Sequence, residues 1–192
     1  RPLRRVSLTG GADYDMAQGQ LGTAEVTLAY NAPRLWATVG ARHYRPYFDL
    51  WTVWGAFSPV PYRGVNGSLA VGVLPTVQLR ARGEWLRYDA SNAITPTVDV
   101  EDAGWRAAFE ATVTPRPQWT VTGSAHAEQL PGASSRGVDA RVSWQPREAV
   151  TLSLAGGSLE RPLELRFQDA GLTWFGATAN YRATDRFSIG AT

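Results

Sequence analysis

Apolar and polar residues alternate along almost the whole chain, the period-two signature of strands that present different chemistry on their two faces. The clearest stretch is Val77 to Tyr88. There Val77, Leu79, Ala81, Gly83 and Trp85 fall on one face, and Gln78, Arg80, Arg82 and Glu84 on the other. Ala103 to Thr114 repeats the arrangement, with Ala103, Trp105, Ala107, Phe109, Ala111 and Val113 against Arg106, Glu110 and Thr112. Trp119 to Glu128 does so again. Further strands are predicted at Val6 to Tyr14, Thr23 to Asn31, Leu35 to Tyr44, Val65 to Leu74, Val138 to Gln145, Val150 to Leu159, Thr173 to Arg182 and Phe187 to Thr192. That makes about eleven strands, and no stretch shows helical periodicity.

The connections alternate in kind. Tight turns are expected at Ala32-Pro33-Arg34, Pro75-Thr76, Pro115-Arg116-Pro117, Pro146-Arg147 and Ala183-Thr184-Asp185. Between them lie longer connections at Met16 to Gly22, Arg45 to Arg63, Ala90 to Glu101, Gln129 to Arg136 and Glu160 to Asp169. With no internal repeat, linker or shift in composition, residues 1–192 read as a single all-β antiparallel domain of the up-and-down kind.

Alternation alone does not say which face is inside, so side-chain volume must decide. About eight strands enclose a lumen that side chains just fill, and eleven or more enclose a wider one. The apolar faces are built mainly of Ala, Val, Gly and Leu, too small to fill that space but suited to a lipid-facing wall, whereas Arg, Glu, Gln, Thr and Ser suit a wet lumen. The apolar runs are far shorter than the roughly 20 residues of a spanning helix, so membrane residence here requires strands. Composition fits this reading without proving it: 192 residues, 44% of them hydrophobic, also suit a soluble globule.

Aromatic positions supply a second test, because Trp and Tyr favour membrane interfaces. On the proposed outer face, Tyr30, Trp119, Trp144, Tyr181 and Phe187 lie beside tight turns, and Tyr14, Trp85 and Trp105 beside long connections. With its turn-flanked segments Phe175 to Ile189 and Val138 to Leu154, the chain resembles the bacterial outer-membrane β-barrel and porin class. The resemblance is architectural and covers nearly the whole length. It implies a transmembrane β-barrel in the bacterial outer membrane, facing lipid and passing small polar solutes. It also implies an even strand number, so the chain is expected to be a piece of a barrel with 12 or more strands.

Within such a barrel Arg80, Arg82, Glu84, Arg106, Glu110, Asp139 and Arg141 form a lumenal charge ladder. If Trp85 pairs with Trp105, the same register sets Arg80 opposite Glu110 and Glu84 opposite Arg106, two favourable cross-strand pairs. The preferred role of the ladder is structural; the alternative is solute selection by the unpaired Arg82. The aromatic segment 47–62, with Tyr47, Phe48, Trp51, Trp54, Phe57 and Tyr62, breaks the expectation of a polar loop. It has three readings: a plug folded into the lumen, a segment lying in the membrane interface, or a platform stacking a sugar or other planar ligand.

The remaining chemistry is sparse. His126 shares a face with Ser124 and Glu128, but residues two apart on a strand are about 7 Å apart, beyond the reach of a nucleophile and its base. His43 and His126 have no zinc-ligand spacing, the chain has no Cys, and no cofactor-binding motif is present. A net charge of +2, with all 19 basic residues Arg and none in a long run, argues against a nucleic-acid partner. The reading is therefore a non-enzymatic pore or membrane scaffold. Its rivals are a soluble β-sandwich or solenoid binding carbohydrate through exposed aromatics, and a membrane-embedded hydrolase.

Overall fold

The computed structural model describes residues 5–17, 19–45, 61–89, 102–130, 133–161, 170–184 and 187–191, with side chains for all of these except 133 and 183–188. The strands are β1 (Val6–Asp15), β2 (Gln20–Ala32), β3 (Leu35–Tyr44), β4 (Tyr62–Leu74), β5 (Val77–Tyr88), β6 (Ala103–Arg116), β7 (Trp119–Leu130), β8 (Ala133–Arg147), β9 (Val150–Glu160), β10 (Gly171–Thr184) and β11 (Phe187–Ala191). They form one sheet of eleven antiparallel strands in the order of the chain, as the alternation predicts. Among the described residues no backbone pairing joins β1 to β11, so hydrogen bonds do not close the sheet into a barrel.

The connections depart from the expected pattern at several places. Two of the tight turns move along the chain, to Pro117-Gln118 and Glu148-Ala149, leaving Pro115 and Pro146 inside strands. Pro146 has no N–H to give a ladder, and the β8–β9 register shifts between Trp144 and Arg147. A bulge of this kind is where a strand tolerates proline. The connection expected at Gln129 to Arg136 shrinks to residues 131–132 because β7 and β8 run further than their apolar patterns, and the one at Met16 to Gly22 shrinks to residues 16–19. Strict alternation of short and long connections therefore fails. Tyr62, expected in the aromatic loop, is instead the first residue of β4.

In the β1–β2 and β9–β10 pairs the register gathers large apolar side chains on one face. Val6, Leu8, Gly10 and Ala12 of β1 stand opposite Tyr30, Leu28, Val26 and Ala24 of β2, while Ser7 and Thr9 stand opposite Ala29 and Thr27. In β10, Phe175, Ala177, Ala179 and Tyr181 face Gly156, Leu154, Leu152 and Val150 of β9. The apolar faces are open: Phe175 is 92% exposed and Leu154 66%. Leu86, at 3%, is the one hydrophobic side chain buried among the described residues, and it lies on the polar face, at the same parity as Glu84.

The chain divides into two compact units, Arg1–Leu69 with Arg82–Arg106 and Gln129–Ala133, and Ala70–Ala81 with Ala107–Glu128 and Ser134–Thr192. In the first unit the buried positions are Gly22, at the register shift of β2, and Gly40, Gly64, Leu86 and Gly104, and in the second Gly137; all but Gly22 are at polar-face parity. Two of these glycines leave room for a neighbouring side chain. A Cβ on Gly64 would lie 2.8 Å from Leu86 Cδ2, and one on Gly137 would lie 2.6 Å from His126 Cε1. At these positions the polar face is the crowded one, the reverse of a sheet packed around a dry core, whereas Gly11 of β1 and Gly176 of β10 meet open space.

Candidate functional site

In the first unit the polar face is built in tiers. Thr38 and Ser68 share a 2.6 Å hydroxyl hydrogen bond between β3 and β4, and the same register brings the Tyr44 and Tyr62 rings to 5.4 Å between centroids. Tyr62 in turn lies 6.0 Å from Tyr88 of β5. The result is a three-tyrosine tier on adjacent strands, with Leu86 next to it. Beyond Leu86, Arg106 Nε donates to Glu84 Oε2 at 2.5 Å, and Glu84 is the more sheltered partner. Glu25 stands opposite Arg42 on β2 and β3. Arg82 is exposed and makes no ion pair among the described residues.

In the second unit Arg80 Nη1 donates to Glu110 Oε1 at 3.2 Å, both side chains being well exposed. Hydroxyl pairs continue the pattern, with Thr112 and Thr122 at 3.4 Å and Ser143 and Ser153 at 2.9 Å. Such polar pairs each stabilise neighbouring strands by about 0.2–1 kcal/mol. Ser124 donates to the Asp139 carboxylate, and Ser135 to Glu128 at 2.8 Å. Arg141 stands opposite Ala155 and makes no ion pair among the described residues. The seven expected ladder residues are therefore divided. Two ion pairs form, Asp139 is held by a serine, and Arg82 and Arg141 stand apart.

Among the described residues, Ser124 and His126 form no acid–base relay. Ser124 donates its hydrogen bond to the Asp139 carboxylate and not to His126, whereas a serine nucleophile needs a histidine base in line with its hydroxyl. His126 packs its ring over Gly137 instead. Among the described residues no group of three or more His, Asp or Glu is placed to hold a metal ion.

On the apolar faces Tyr14, Tyr30, Trp85, Trp105, Trp119, Trp144 and Tyr181 are all exposed. Trp119 and Trp144 stack at 5.5 Å with an interplanar angle of 17°. Beside them is an open apolar depression of about 470 Å³ lined by Val142, Leu152, Leu154, Ala177 and Ala179. Phe187 opens β11, and its side chain lies outside the described ones. Tyr47, Phe48, Trp51, Trp54 and Phe57 also lie outside the described residues, as does the fate of their loop.

Sequence reading missed the aromatics of the polar face. Tyr44 and Tyr88 join Tyr62 there, and Trp174 of β10 approaches Gly157 with its indole nitrogen. The signal was available for Tyr88, which shares parity with Arg80, Arg82 and Glu84, but not for Tyr44 and Tyr62, whose pairing depends on where β4 begins. Compared with known proteins, the chain matches no protein-family model and no curated protein.

Proposed function

We propose that this chain forms the wall of an outer-membrane β-barrel that serves as a passive diffusion pore for small polar solutes. The observation that carries the reading is the division of the faces: large apolar side chains such as Phe175 and Leu154 are open on one face, while the Arg80–Glu110 and Glu84–Arg106 ion pairs and the hydroxyl pairs lie on the other. An apolar surface this extensive is costly in water and stable against hydrocarbon. The exposed Trp and Tyr at strand ends suit the interfacial levels of a bilayer. A meander in chain order is the topology of up-and-down barrels and favours this reading over a solenoid, whose stacked coils run parallel.

The test is membrane extraction followed by bilayer recording. The chain is expected to resist alkaline extraction, to change gel mobility on heating, and to give stepwise conductance in planar bilayers. A protein that stays dispersed in buffer without detergent would overturn the membrane reading. One that inserts but never conducts would leave a scaffold and remove the pore.

A further inference from the structure

At one end of the first unit, three basic side chains fall in a single cross-strand row on the apolar face. The Thr38–Ser68 and Tyr44–Tyr62 contacts fix the β3–β4 register, which sets His43 opposite Arg63. The Asp89 amide donates to the Pro61 carbonyl at 2.9 Å, which fixes β4 against β5 and sets Arg63 opposite Arg87. His43 pairs on its other side with Ala24, an apolar-face residue. Arg63 and Arg87 are exposed. Trp85 and Val65 follow one step along the same faces, both open.

Like charges directly opposite on neighbouring strands destabilise a sheet. Arg87 has a partial remedy in Asp102, at 3.5 Å. Asp89, also at this end, has a partner of its own. Arg63 makes no ion pair among the described residues. Arg63 is thus the member of the row with no carboxylate partner among the described residues.

We infer that His43, Arg63 and Arg87 bind the phosphate of an anionic lipid headgroup whose acyl chains lie along Trp85 and Val65. This rests on the membrane reading above. Arginine presents a planar fork of donors that matches phosphate oxygens, and a shared phosphate relieves the Arg63–Arg87 opposition. Indole rings one step nearer the hydrocarbon place that phosphate at headgroup level.

The test is native mass spectrometry of the full chain in detergent, titrated with phosphatidylglycerol or phosphatidylcholine. The wild type is expected to retain phosphatidylglycerol preferentially. Removing one Arg near a membrane surface weakens attraction about fivefold, so Arg63→Gln should lower retention by that factor, and the Arg63→Gln/Arg87→Gln double variant should abolish the preference. Arg63→Lys should keep part of it, and Arg34→Gln, at a turn, should keep all of it. Equal retention by the wild type and the double variant, or displacement by millimolar inorganic phosphate, would overturn the headgroup site. If both proteins still insert into vesicles, the membrane reading survives that result. If the wild type does not insert, both fall together.

Discussion

His126 is accommodated because position 137 has no side chain. A strand ordinarily gains from a β-branched residue in place of Gly, so Gly137→Val would stabilise an open site. Here the new Cβ meets the imidazole at 2.6 Å, and overpacking of this kind costs about 1–3 kcal/mol. Gly137→Val is thus expected to lower stability in equilibrium unfolding, and adding His126→Ala should recover most of the loss. Failure of the second change to rescue the first would assign the clash to the Ser158 carbonyl oxygen, 3.1 Å from the same Cβ position, and not to His126. The two ion pairs give a similar comparison. Arg80 and Glu110 are both open to solvent, where pairs contribute about 0.2–1 kcal/mol, whereas Glu84 is more sheltered. Double-mutant cycles with Gln substitutions should therefore give a larger coupling for Glu84–Arg106 than for Arg80–Glu110. The reverse order would show that burial does not govern these pairs.

At the scale of a strand, β9 separates the two possible surroundings of the apolar face. Leu154 points to that face and Thr151 to the polar one, three residues apart on one strand. In hydrocarbon, Leu154→Arg costs about 2–4 kcal/mol at mid-depth, while in water an exposed substitution stays within about 0.5 kcal/mol. Unfolding from vesicles should show the large penalty at Leu154 and little change for Thr151→Arg. Equal small effects would place water on both faces. The face assignment behind this comparison was legible in the sequence, because alternation runs from Val77 to Trp85 in β5 and from Val150 to Leu154 in β9 and a strand has only two sides. Strand ends were less legible. The apolar pattern of β8 stops near Trp144, yet hydrogen bonding carries on past Pro146 through a register shift, and β7 extends through Gln129 and Leu130 although polarity suggests a loop. Polarity reports which environment a side chain meets. Backbone pairing continues wherever a partner strand is present, regardless of side-chain polarity.

For the whole molecule, the proposed pore makes its polar residues the surroundings of a passing ion. The Glu84–Arg106 and Arg80–Glu110 pairs were readable because each follows from one assumed register, whereas the tyrosine tier joins three strands across a long connection whose length had to be known first. Paired charges largely cancel in the field a permeant ion feels, so selectivity falls to cations without a counter-charge, of which Arg82 is exposed on the polar face of β5. Arg136 provides a control. It carries the same charge but shares parity with Val138, on the apolar face, and it is paired with Glu160. Under a salt gradient, Arg82→Gln should move the reversal potential toward cation preference, and Arg136→Gln should leave it near the wild-type value. The shift should shrink as ionic strength rises, because the Debye length falls from about 10 Å at 0.1 M to about 3 Å at 1 M. Equal shifts from the two variants would mean that permeant ions do not distinguish the two faces, and the polar side would then lose its claim to be the lining of a pore.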